Sequence, residues 1–339
     1  MREIENSKMP WYKEFEFDSL DDFIRWRYRY GINDSALPIK NMVFRGIGCA
    51  KSYKLIPSAF RTNKHNSISI LDYSPNLKGM KNCCSASVSE LVKSEVNELS
   101  IFFAEANKHG LSLPDTDYFK SNTSVKYHIK FVEKLEEWPE QSFLELIALA
   151  QHYGLPTRML DWSFSFDTAL YFALSDVIKR KHRDLVEGKD GVKYEPFAVW
   201  GVNLPFIQSD INDIYYMDCP VQFYVPKYAD NPNLKAQKGI LSYYKDSLCV
   251  PLYKDYKIKS IDKILNDYYK EIQSSIANIK SYGTLICKMK FKSKEPVAEF
   301  EYLTKNGTNA ARLFPGYQGV VKKIEEDEII NTLKNNCIH

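Results

Sequence analysis

Apolar residues recur at helical spacing in several stretches of the chain. Over residues 89–109 they fall at Leu91, Val92, Val96, Leu99, Phe102, Phe103 and Ala106, the i, i+3, i+4 rhythm of one buried helix face, with Gly110 as a stop. The same rhythm is clearest over 139–153. There Phe143, Leu146, Ile147 and Ala150 form a stripe behind a first turn of Pro139 and Glu140, and Gly154 closes it. Residues 166–178 predict a second buried helix, and Phe17, Leu20, Phe23 and Ile24 stand at near-helical spacing around Asp18, a suitable N-cap. Further helices are expected over 260–282, 296–305 and 317–333. Short strands are expected at 41–46, 157–162, 197–204, 221–225 and 240–244. Over 284–292 the pattern alternates, Leu285, Cys287, Met289 and Phe291 against Lys288, Lys290 and Lys292. Residues 63–87, 179–183 and 187–193 are polar enough to read as loops. No internal repeat or low-complexity linker interrupts the pattern. The expectation is one elaborated α+β domain: a helical extension over 1–40, a main domain over 41–322, and a helix and tail over 323–339.

Composition adds limits. The 339 residues are 44% hydrophobic and 26% charged, so disorder over most of the length is excluded. A net charge of +3 does not indicate a dedicated polyanion binder. The basic cluster 179–183 and the lysine face of 284–292 read as solvated surfaces rather than a nucleic-acid footprint. Seven cysteines scatter without C-x-x-C pairs, which fits neither a disulfide framework nor a zinc site. The first eleven residues lack the apolar core of a secretion signal, and no run approaches the roughly 18 apolar residues of a membrane span. A reduced, cytoplasmic protein without membrane contact is expected. The unusual figure is 14% aromatic residues, which either fill cores or line a pocket.

Common catalytic motifs are missing: no phosphate loop, zinc helix or nucleophile elbow occurs, and the six histidines have no ligand spacing, so no metal is expected. Gly46-Ile47-Gly48 is only a fragment of a dinucleotide fingerprint. Two segments carry more polar groups than packing needs. In Phe44-Arg45-Gly46 a guanidinium ends an apolar strand, where it must be paired internally or face an anionic ligand such as a phosphate or carboxylate. Residues 151–163 place Gln151, His152, Tyr153, Thr157, Arg158, Asp161, Trp162 and Ser163 between two apolar helices. This is either a ligand site or a hydrogen-bonded network, with Arg158 on Asp161 and His152 capping its own helix.

On these residues the sequence resembles the FRG domain family. The resemblance runs through Phe44-Arg45-Gly46, the stretch 55–61 (LIPSAFR), the helix around 95–103 and the long motif 149–162 (LAQHYGLPTRMLDW). It continues through 169–173 (ALYFA), Ala236-Gln237-Lys238-Gly239 and 311–316 (ARLFPG), with Gly319. Two departures stand out: Ile47 where the family often has Gln, and Asn233 where an Arg is common. The order of motifs is similar to that of ADP-ribosyltransferases of the arginine–serine–glutamate type. That similarity implies a split mixed β-sheet core elaborated with several helices, and NAD as cofactor.

By the same resemblance Arg45, Asp161 and Gln237 are the candidate catalytic residues. Arg45, Gly46, His152, Tyr153, Thr157, Arg158, Trp162 and Ser163 would bind the cofactor. Splitting the nicotinamide–ribose bond builds positive charge on the ribose, so the site needs an anion clamp, an aromatic platform and an acceptor near the 2′-hydroxyl. Gln237 is neutral where the motif order implies a glutamate, and Asp161 or Glu95 would have to supply the charge. The resemblance implies an effector, a bacterial toxin or anti-phage defence protein, modifying a protein or nucleic acid, with an antitoxin or regulatory protein as possible partner. The alternative is a non-catalytic module that binds a nucleotide or phosphate ligand. Most aromatics, among them Phe102, Phe103, Phe172 and Phe291, are expected in the core, and Phe44, Tyr153 and Trp162 beside the site.

Overall fold

A computed structural model of the protein describes residues 2–3, 11–30, 41–62, 68–73, 87–116, 118–119, 130–189, 192–207, 219–248, 258–275 and 284–336. Its strands are β1 (Arg2–Glu3), β2 (Tyr12–Phe17), β3 (Met42–Ile47), β4 (Glu137–Trp138), β5 (Leu160–Ser163), β6 (Phe197–Asn203), β7 (Val221–Tyr224), β8 (Gly239–Tyr244), β9 (Asp246–Ser247) and β10 (Ile286–Phe291). Its helices are α1 (Leu20–Tyr30), α2 (Val88–Lys108), α3 (Leu144–His152), α4 (Phe166–Val186), α5 (Leu204–Ile207), α6 (Pro232–Ala236), α7 (Ile261–Ser275), α8 (Pro296–Lys305), α9 (Ala310–Leu313) and α10 (Tyr317–Asn336). The architecture is α+β. Eight strands form one mixed sheet in the order β1-β2-β10-β6-β3-β5-β8-β7, and β4 and β9 make a separate two-stranded ribbon.

Within the large sheet β2 and β10 pair in parallel and the remaining neighbours are antiparallel. The joint between β3 and β5 is a single residue pair, Phe44 with Ser163, whereas β3 and β6 pair over six positions. Strands held by one pair splay beyond it, and a crevice opens between them. One sheet face packs Phe15, Phe17, Phe44, Val199, Met289 and Phe291 against α1, α4, α8 and α10. The other packs Val43, Trp162, Val202 and Ile240 against Leu265 and Tyr269 of α7. A third cluster joins α2 and α3 to Leu241 and Tyr243 of β8.

The strand expected over 157–162 forms over Leu160–Ser163 and the helix expected over 139–153 over Leu144–His152, and two further stretches differ in kind from the pattern read in the sequence. The basic cluster 179–183, expected in a loop, continues α4 to Val186. Leu185 still packs on the core there, Lys179 pairs with Glu326 at 3.5 Å, and Lys181 lies 4.0 Å from the Tyr194 ring centre, so the charges ride on a helix rather than break it. The segment expected as a helical extension over 1–40 supplies strand β2 as well as α1 among its described residues. In β2, Phe15 and Phe17 are buried, while Glu14 and Glu16 pair across the sheet with Lys290 and Lys292. The lysine face of β10 is therefore matched by carboxylates, and Lys288 donates to the Ala50 carbonyl at 2.7 Å. The expected loop over 63–87 and the end of the expected helix over 260–282 lie largely outside the described residues.

Candidate functional site

The crevice at the β3–β5 joint leads into a cavity of about 330 Å³. Arg45 and Gly46 enter it from β3, Asp161, Trp162 and Ser163 from β5, and Gln151 and His152 from the end of α3. Thr168, Ala169 and Phe172 of α4, together with Asn231, Asn233, Leu234, Gln237 and Phe314, are also on the lining. Gly46 is what lets β3 approach α4: a Cβ there would stand 1.8 Å from the Ala169 carbonyl oxygen. At Gly48 a Cβ would meet the Asp176 carboxylate at 2.0 Å, so the two glycines of Gly46-Ile47-Gly48 serve strand–helix packing.

Arg45 bridges the splayed joint. Its Nη1 donates to the Asp161 carbonyl at 2.5 Å and stands 3.6 Å from the Asp161 Oδ2. The Arg45 side chain is 20% exposed and that of Asp161 58%, so the carboxylate sits at the mouth and the guanidinium behind it. Burial lowers the Arg45 pKa from the ordinary arginine value, Asp161 opposes that shift, and Arg61 adds to it. Gln151 Nε2 donates to Asp161 Oδ1 at 2.7 Å. The Gln151 carbonyl oxygen accepts from the Thr157 hydroxyl, which also receives the Met159 amide at 3.2 Å. Gln151 thus holds Asp161 and Thr157 together. Burial also lowers the His152 pKa, against the pull of Asp161, and favours the neutral imidazole.

The far wall is the Ala236–Gly239 turn. The Ser163 hydroxyl donates to the Gln237 carbonyl at 2.6 Å, and Gln237 Nε2 donates to the Leu313 carbonyl at 3.1 Å. Lys238 takes a left-handed conformation with φ 49°, its carbonyl accepting from Phe164 at 2.9 Å. A Cβ at position 239 would collide with Leu234 at 2.2 Å, so this turn requires glycine where strand β8 begins.

Of the residues expected at the site, Arg45, Gly46, His152, Asp161, Trp162, Ser163 and Gln237 line this one cavity. Thr157 lies behind it, reached through Gln151. Tyr153 points away, 70% exposed, its ring edge-on to His152. Arg158 is elsewhere. It is fully buried and forms a two-pronged ion pair with Glu95 at 2.6 Å, not the pairing with Asp161 read as one possibility in the sequence. Asp161 is on the adjacent strand and faces Arg45, because the buried Glu95 takes both prongs of Arg158. Phe172, expected in the core, is 36% exposed and forms a cavity wall with Phe314, to which it stands edge-on at 6.2 Å. Gln151 was visible in the long motif as a polar group beside His152. Asn231 carried no such signal, and Phe314, though inside the 311–316 motif, gave no sign of a place at the site, because only the tertiary fold brings them there.

The chain is thus an α+β protein in which an arginine strand, a serine strand and a glutamine turn line one cavity. Residues 40–182 match the FRG domain. The match spans β3, the 149–162 motif and α4 up to His182, and the Gln237 turn and Phe314 lie beyond it. No curated protein and no solved structure matches the chain. Among the described residues no helix is long and apolar enough to cross a membrane, and no three His, Cys, Asp or Glu side chains cluster as metal ligands.

Proposed function

We propose that the protein is an NAD-dependent ADP-ribosyltransferase-like effector, a bacterial toxin or anti-phage defence protein that modifies a protein or nucleic acid. One observation carries the reading. The arginine, serine and late-turn positions implied by the motif order are more than 70 residues apart along the chain, yet β3, β5 and β8 are neighbours and their residues line one cavity.

The donor set fits NAD. Arg45 offers two-pronged hydrogen bonding to phosphate or ribose oxygens, and the rings of Phe172 and Phe314 offer a face to nicotinamide. NAD, when bound, supplies an ADP-ribosyl group and nicotinamide as the leaving group. Among the described residues Asp161 is the one carboxylate on the lining, and it supplies the negative charge that Gln237 lacks. Gln237 positions the wall through Leu313, and His152, neutral by burial, is available to accept a proton from an attacking acceptor.

The test is to incubate the purified chain with labelled NAD and bacterial lysate. Labelled macromolecules and released nicotinamide are expected, together with growth arrest on expression. Arg45→Ala should abolish all three with the melting temperature kept. Wild-type growth with no NAD turnover in any lysate would sink the enzyme reading. The neutral amide of Gln237, already engaged by Leu313, favours a second reading, a non-catalytic module for a nucleotide or phosphate ligand. Thermal stabilisation by NAD without any product would select it.

A further inference from the structure

A cavity of about 330 Å³ accommodates one nucleoside-sized group and not a whole dinucleotide. Ala148 and Asn231 line that cavity and also a second, larger one of about 820 Å³, so the two are neighbours across a ridge made by these residues. The second cavity has an apolar floor of Phe102, Leu113 and Leu149, with the exposed Tyr153 ring at its edge. Its charged lining residues are Asp115, Glu145 and Lys227. Glu145 is fixed, its Oε1 accepting from the Tyr224 hydroxyl at 2.6 Å and from the Lys227 amide at 3.0 Å. Two carboxylates to one lysine disfavour a phosphate here and suit donors such as ribose hydroxyls and a base amino group. An apolar floor and an exposed aromatic ring suit a flat neutral base.

We infer that the second cavity is a purine nucleoside subsite, holding the half of the dinucleotide that the Arg45 pocket has no room for. The inference rests on the NAD reading above. Pyrophosphate would then cross the Ala148–Asn231 ridge, and α3 would contribute to both subsites: Gln151 and His152 to the first, Glu145 and Leu149 to the second.

The experiment measures binding, by calorimetry on the full chain, with NAD and nicotinamide mononucleotide as probes. Leu149→Arg should weaken NAD at least about tenfold and leave the mononucleotide unchanged. Tyr153→Ala, an exposed position whose loss does not threaten folding, should weaken NAD several-fold with the same selectivity. NAD affinity equal to wild type in both variants would overturn the subsite while leaving the Arg45 pocket standing. A wild-type chain that binds neither probe would overturn the subsite and the NAD reading together.

Discussion

Asp161 is the residue on which binding and chemistry separate. In the free protein it is the counter-ion of Arg45, and its other oxygen is held by Gln151. Its backbone carbonyl holds the guanidinium independently of its side chain. Asp161→Asn should therefore keep Arg45 in place, remove the charge that competes with a phosphate, and retain the Gln151 bond through the amide oxygen. The expected outcome is NAD affinity equal to or tighter than wild type, with nicotinamide release falling about 10²–10³-fold as a charge-stabilising group is lost. Calorimetry beside a nicotinamide-release assay checks both, and an Asn variant that turns over normally removes Asp161 from the catalytic set. This residue was legible in the sequence as part of a polar run. Its pairing was not, because a sequence with two arginines, Arg45 and Arg158, and two acids, Glu95 and Asp161, does not say which meets which. Burial decides: the enclosed Glu95 takes the fully buried arginine and the exposed Asp161 the other.

Helix α2 carries a buried carboxylate whose pKa is pushed far from its ordinary value. A capping box opens the helix, with Ser87 and Glu90 bonding each other's backbone amides. Its buried face then places Glu95 and Glu98 three residues apart. Glu95 is neutralised by Arg158, whereas Glu98 Oε1 has no hydrogen-bond partner among the described residues. Burial, then the Glu95 charge, pushes the Glu98 pKa up to about 9. The folded state thus holds a proton that the unfolded chain releases near its ordinary value. The stabilisation is whole below about pH 4.5 and is lost as pH rises toward 9. Glu98→Gln removes that dependence and should stabilise by about 2 kcal/mol or more at pH 8, with little gain at pH 4, read from denaturant midpoints at both pH values. Equal effects at the two pH values would refute it. Helices such as α2 were legible because apolar spacing persists through them. The end of α4 was not, since after Ile178 only Leu185 marks the buried side and the charges dominate the pattern. Strand β2 was hidden because Phe17 and Leu20 also suit a helix, and its partner β10 lies some 270 residues away.

At the scale of the molecule, the two motif arginines divide the labour. Arg45 sits at a joint with solvent access and an exposed partner. Arg158 sits where separate pieces of the fold meet: it binds Glu95 of α2, the carbonyls of Trp138 in β4 and Tyr244 in β8, and Asp246 of β9. Burial works against its charge, yet Glu95, then Asp246 and Tyr244, hold its pKa above the ordinary arginine value. Removing it takes the facing cation from two buried carboxylates, the situation in which breaking an ion pair costs most. Arg158→Ala should cost about 3–5 kcal/mol in denaturant unfolding, and Arg158→Lys a substantial part of that, because an ammonium cannot reproduce the two-pronged bond to Glu95. Arg45→Ala, with a partly exposed side chain, should cost less than about 1 kcal/mol while abolishing ligand binding. The contrast is the informative quantity. If both alanine variants lose the same stability, Arg45 is a structural brace and the cavity loses its strongest argument for an anionic ligand. If Arg158→Ala unfolds at the wild-type denaturant concentration, the buried ion pair does not hold α2, β4, β8 and β9 together, and the tie between the long motif and this fold must lie elsewhere.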